Sequence, residues 1–171
     1  MSAVTELTSR PTMDGAIGVQ EAIAFVWREA DMLDRLDYRP WLDLWADKGL
    51  YIIPTEREVA DYAGALNILY DDAVMREARV KRLLSGFSMS SAPPARTVRT
   101  VSRFVTTEVG PGLIGLRAAM IVAEYKYERM RILAADVDYR ITRDNGQLKF
   151  DRKVVRLVNC DDFLHGVGYL L

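Results

Sequence analysis

His165 and Cys160 are the single histidine and the single cysteine of the chain. Most soft-metal and nucleophile chemistry runs through these two side-chain types, so their scarcity is the first constraint. A Rieske-type iron–sulfur centre takes two Cys and two His. A mononuclear non-haem iron site takes two His and a carboxylate, and structural zinc takes several Cys or His. One residue of each type builds none of these, so no metal site is expected in this chain. His165 has the intrinsic pKa of a general base. It stands beside Gly166 in a glycine-containing tail, however, which reads as a surface or interface position.

The remaining chemistry is carried by arginine and aspartate. Arg79, Lys81 and Arg82 crowd the end of an expected helix. There they either complement the carbonyl end of the helix dipole, at about 0.3–1 kcal/mol each, or offer a charged contact to a neighbouring subunit. Arg96, Arg99 and Arg103 fall on one long expected strand, with Arg99 and Arg103 on the same parity as Val101 and Val105. A planar guanidinium among β-branched side chains suits an interface, because its fork pairs carboxylates through two bonds. The alternative is solvated charge that protects a sheet edge. Arg152 and Arg156 share parity with Leu148, Phe150 and Val154. Charges on an apolar face must be paired or must point into a wet cavity. Asp136 and Asp138 on the preceding strand are their expected partners, as a structural ion pair or, alternatively, as a catalytic Arg–Asp arrangement. No residue is assigned as catalytic. There is no glycine-rich phosphate loop, no nucleophile elbow and no basic–aromatic nucleic-acid pattern.

These residues are positioned by a chain whose hydrophobic period changes once. Residues 1–13 are rich in Ser, Thr and Pro and read as a flexible arm; 14–171 read as one domain. Val19, Ile23, Val26, Ala30 and Leu33 recur at helical spacing, predicting a helix over 19–36. A short helix is expected over 40–46, with Pro40 near its start and Gly49 beyond its end. Trp27, Trp41 and Trp45 are expected in the core. A short strand follows at 50–53, stopped by Pro54, and 55–67 reads mainly as a loop. Asp71 or Asp72 suits the N-cap of a third helix that runs to Leu84 and closes at Gly86. After Ala95 the period becomes two, predicting strands over 96–109, 113–130, 132–143 and 147–159. Asp144-Asn145-Gly146 is a hairpin signal, since Asn and Gly tolerate the positive φ of a type I′ turn. Helices first and hairpin-linked strands after them make an α+β fold: one curved antiparallel sheet, shaped as a half-open cone, with helices on one face.

Composition narrows the setting. The 171 residues suit a single domain, and half of them are hydrophobic. With 23 basic against 24 acidic residues the net charge is −1, which gives no global field for nucleic acid. One Cys forbids an internal disulfide. The first 18 residues lack the regions of a signal peptide, and no apolar run approaches the roughly 20 residues of a membrane span. A cytoplasmic protein with no membrane association is expected.

Several stretches resemble the β (small) subunit of bacterial aromatic-ring-hydroxylating dioxygenases. These are Trp27-Arg28-Glu29-Ala30, Trp41-Leu42-Asp43-Leu44, Tyr51-Ile52-Ile53-Pro54 and Ile68-Leu69-Tyr70-Asp71-Asp72. Arg79 to Leu83, Pro93-Pro94-Ala95-Arg96-Thr97, Asp151 to Leu157 and the closing Tyr169-Leu170-Leu171 continue the likeness. The basic pair that the family tends to carry before its third strand is absent at Leu133-Ala134-Ala135-Asp136. The resemblance implies the cone-shaped fold of the nuclear-transport-factor-2-like (SnoaL-like) superfamily. It also implies a mainly structural chain without its own cofactor, assembled with a catalytic α subunit as α3β3. The Rieske [2Fe-2S] cluster and the mononuclear iron would belong to that α subunit, and the assembly would dihydroxylate an aromatic ring with O₂. The alternative is a standalone enzyme of the superfamily, a dehydratase, isomerase or epoxide hydrolase acting on a small apolar molecule in the cone. The enzyme needs an open pocket with converging polar groups; the subunit needs a broad interface.

Overall fold

The computed structural model describes residues 15–85, 93–162 and 166–171. The expected arm at 1–13, the helix stop at Gly86 and His165 lie outside the described residues.

Helix α1, Val19–Asp34, buries Ala22, Ile23, Phe25, Val26, Glu29, Ala30 and Leu33 along one stripe. It ends in a Schellman motif: Leu36 takes φ 62°, and Asp37 N–H reaches back to Met32 O at 2.9 Å. Helix α2, Tyr38–Leu42, is earlier and shorter than the sequence suggests. Trp45, assigned to that helix from sequence, opens strand β1, Trp45–Pro54. Strand pairing with Phe150 and ring packing against Trp41, Tyr51 and Phe150 outweigh the helical spacing of the tryptophans. Trp27 also departs from expectation: it is 53% exposed, with its indole N–H bonded to Val101 O.

Strand β2, Asn67–Asp71, is not predicted by the sequence; it runs from the end of the expected loop at 67 to the expected cap at Asp71. Asp72 is the N-cap of α3, Ala73–Leu84, accepting from Met75 N–H at 2.9 Å. Four long strands follow: β3 (Arg96–Gly110), β4 (Leu113–Lys126), β5 (Arg129–Asp144) and β6 (Gln147–Leu157). Asn145 and Gly146 take φ 47° and 79°, as a type I′ turn requires. Tyr127 and Glu128 do the same at 51° and 60°, so β4 turns at Lys126 instead of continuing to Met130.

The sheet order is β2-β1-β6-β5-β4-β3. It is antiparallel, as expected, except between β1 and β6, which run parallel. Among the described residues the sheet is curved and unclosed, with α1 laid against β3. The cone is filled. Phe25, Trp41, Trp45, Tyr51, Tyr139 and Phe150 form a chain of ring contacts through it. Tyr169, Leu170 and Leu171 are buried in the same core.

Candidate functional site

The interior polar groups start from a register change in β6. Arg140 stands opposite Arg152, but Ile141 stands opposite Phe150, so Asp151 is an extra residue. Such a bulge flips the parity of everything beyond it. Lys153, Val155 and Leu157 therefore enter the core. Arg152 and Arg156 do not share the face of Phe150, contrary to simple alternation.

Lys153 is buried against Glu29 of α1, Nζ to Oε1 2.7 Å. Glu29 Oε1 also accepts from the Trp41 indole at 3.0 Å. Lys153 donates further to Leu171 O at 2.8 Å, and Tyr51 Oη donates to the same oxygen at 2.9 Å. Burial lowers the Lys153 pKa against the pull of Glu29, which raises it. Burial likewise raises the hydroxyls of Tyr51 and Tyr139 above their ordinary value. The interior acid and base are thus spent on each other, and the tyrosines hold their protons. The spacing of Glu29 from Phe25 and Leu33 on the α1 stripe was a readable signal for a buried acid, and sequence reasoning passed over it.

Arg99 belongs to this interior and not to an exposed face. Its side chain is 1% exposed and its Nε meets Asp34 Oδ1 at 2.8 Å, while its Nη1 donates to Leu170 O at 3.0 Å. A bulge between Ser102 and Val105, with Arg103 at φ 54°, separates it from Arg103, which is exposed. The expectation that the two share a face fails for that reason. Arg79 closes on buried Asp71 through two bonds, 2.5 and 3.0 Å. Arg76, not singled out from sequence, is buried over the Trp45 ring at 4.3 Å and bonds Gly49 O. Burial lowers its pKa to about 10.

The outer face of the sheet carries rows of charge. Arg156 pairs with Asp138 and also touches Tyr62 Oη at 3.1 Å. Asp136 is taken by Arg57 and Arg103 rather than by Arg152. Arg152 is exposed opposite Arg140, and Arg140 bridges Glu108 and Asp151. Toward the β4–β5 turn the face becomes apolar. Val98, Ala123 and Ile132 align across three strands, as do Thr100, Ile121 and Ala134. Val98, Ile121, Met130 and Ile132 are all more than half exposed. Arg96 lies over the Tyr125 ring at the border of this patch, and Lys81 and Arg82 are exposed on α3. Among the described residues no group of three His, Cys, Asp or Glu could hold a metal ion. Buried Cys160 does not supply the donors of a cluster. No described helix is long and apolar enough to cross a membrane.

The chain is 27% identical over 139 residues to the β subunit of an N,N-dimethyl phenylurea N-demethylase from Sphingobium sp., covering 78% of this chain and 76% of that one. It is 26% identical over 130 residues to the small oxygenase component of a p-cumate 2,3-dioxygenase system from Pseudomonas putida, covering 75% and 72%. Its fold is that of the benzoate 1,2-dioxygenase β subunit from Burkholderia mallei, with a TM-score of 0.75 at 21% identity over 90% of this chain and 98% of the other. The family model described as "Ring hydroxylating beta subunit" matches residues 28–161. With most of its length matched, the chain belongs to the ring-hydroxylating β-subunit family.

Proposed function

We propose that this chain is the structural, non-catalytic partner of a catalytic α subunit, which holds a Rieske [2Fe-2S] cluster and a mononuclear iron. The mutual pairing of the buried acid and base carries this reading. An enzyme of this shape needs an open pocket with unpaired polar groups, whereas here Glu29 and Lys153 satisfy each other among stacked rings. That observation disfavours the dehydratase, isomerase or epoxide-hydrolase alternative. What the molecule offers instead is surface: an apolar sheet face bordered by Arg96, Arg103 and Asp136.

This face packs against neighbouring subunits, with three copies in an α3β3 assembly. Lys81, Arg82, Arg96 and Arg103 supply its charged rim. Arg79 is held by Asp71 and acts by fixing the end of β2 to α3. The assembly oxidises an aromatic compound with O₂ in the cytoplasm. Both ring dioxygenation and N-demethylation occur in the names of its relatives, so the choice of reaction and substrate lies with the α subunit.

The test is the native mass and iron content of the complex that co-purifies from the source cells grown on an aromatic carbon source. A large assembly with a heavier, iron-containing chain is expected. A small, metal-free homo-oligomer overturns the reading.

A further inference from the structure

Beside the ring-filled interior one apolar space stays open. It lies between β1 and β2, the end of α3 and residues 166–171, and has a volume of about 350 Å³. Ile53, Leu69 and Leu157 wall it from the sheet, Leu83 from α3, and Val167 and Leu170 from the tail. Ile53, Leu69, Leu157 and Leu170 are at most 8% exposed, so these walls are held by the core behind them. Ile68 and Gly166 also line the space and are exposed, which places its mouth between β2 and the tail.

Each polar side chain among the described residues of the wall is already spent. Arg79 closes on Asp71 through two bonds of 2.5 and 3.0 Å. Tyr169 Oη donates to Glu124 at 2.6 Å. Tyr51 Oη donates to Leu171 O and accepts from Leu171 N–H, both at 2.9 Å. Water is held poorly in such a space, because a buried water needs roughly two to four polar partners. The leucines and isoleucines meanwhile lack dispersion contacts on their open side. Voids left by ordinary packing are scarcely larger than a water molecule, whereas this volume is of the size that small-molecule sites have.

We infer that this cavity is a binding site for a small uncharged molecule that is hydrocarbon over most of its surface. Asp71 cancels the charge of Arg79 at the wall, so a charged ligand would give up its hydration without gaining a partner. A neutral, apolar one gives up little and restores the missing contacts. No free acid, base or nucleophile stands among the described wall residues, so the site holds its ligand without reacting with it.

The probe is N-phenyl-1-naphthylamine, a neutral dye that brightens on leaving water. The control is 1-anilinonaphthalene-8-sulfonate, the same ring system carrying a sulfonate. Titration of the full chain with the neutral dye is expected to show saturable 1:1 binding, with the sulfonate at least tenfold weaker. Leu83→Trp fills the cavity from the end of α3. Ile68→Asp sets a charge at the mouth, at a position 48% exposed where the fold tolerates it. Each is expected to weaken binding of the neutral dye at least tenfold. Ile121→Asp, on the exposed outer face of the sheet, is expected to leave that affinity unchanged, which separates the cavity from the outer apolar patch. The inference is overturned by the absence of saturable binding to the unmodified chain, by equal binding of the sulfonate, or by loss of binding in Ile121→Asp. It is also overturned if Leu83→Trp and Ile68→Asp, shown to be folded by circular dichroism, bind the dye as the parent does. If Leu83→Trp does not fold, Ile68→Asp alone decides.

Discussion

Glu29 and Lys153 are 124 residues apart in sequence and form a 2.7 Å ion pair with both side chains at most 2% exposed. The pair ties α1 to β6 across the cone. Removing one member leaves the other charge without its partner in a place water does not reach.

Lys153→Met is therefore expected to cost about 3–5 kcal/mol of stability, the usual penalty for an orphaned buried charge. The double variant Glu29→Gln/Lys153→Met keeps an acceptor for the Trp41 indole and removes both charges. It is expected to lose distinctly less than the single variant. Urea denaturation of the two variants beside the parent chain checks the order.

Stability is expected to fall above pH 10. Burial raises the hydroxyl pKa values of Tyr51, Tyr139 and Tyr169, so the folded chain keeps protons that the unfolded chain, titrating near 10, has lost. The stability they contribute is whole below pH 10 and is lost as pH rises toward their folded values. Lys153 works in the opposite sense: burial lowers its pKa from 10.5, so its share of stability grows as pH rises toward 10.5 and is complete above it. Arg76, lowered to about 10 by burial, works in the same sense as Lys153, while burial raises Tyr38 along with the other three tyrosines; the four hydroxyls are expected to outweigh the two cations. Melting curves from pH 8 to 11.5 should show the fall, and Tyr51→Phe should make it shallower.

Gly49→Ala tests how closely two strands approach. A Cβ at this position would lie 2.6 Å from Phe150 O and 3.0 Å from Ala46 O, both backbone atoms with little freedom to move. A loss of about 2–3 kcal/mol is expected by overpacking, read as a lower denaturation midpoint with unchanged slope.

The outer sheet face is tested by Ile121→Asp and Ile132→Asp. Both positions are more than half exposed, so the isolated chain should keep its stability within about 0.5 kcal/mol. Co-purification of a heavier partner, or self-association, should be lost. Retained assembly with both variants would remove this face from the interface.

Sequence periodicity located what periodicity controls. The stripe of α1, the cap at Asp72 and the Asn145-Gly146 turn all follow from local chemistry. Features set by distant neighbours were hidden. Tyr127 and Glu128 adopt a turn without a turn residue between them because the register of β4 on β5 demands it. The bulge at Asp151 has no residue preference to betray it, yet it exchanges Arg152 for Lys153 in the core. Arg99 looked like surface charge because its partner, Asp34, is 65 residues away on a helix end. The charged groups of the outer face were legible as pairs, but Asp136 chose Arg103 and Arg57, whose positions depend on a bulge and a loop.

The parallel pairing of β1 with β6 has a consequence for biosynthesis. Strand β1 and its hairpin partner β2 emerge early, but their sheet position beside β6 does not exist until residues near 157 have been made. The Tyr51 contact with Leu171 spans 120 residues. During translation the meander from β3 to β6 can assemble by successive short closures, while the opening third of the chain waits with its aromatic side chains unburied. The interval between making Trp41, Trp45 and Tyr51 and covering them is when a chaperone has most to do for this protein.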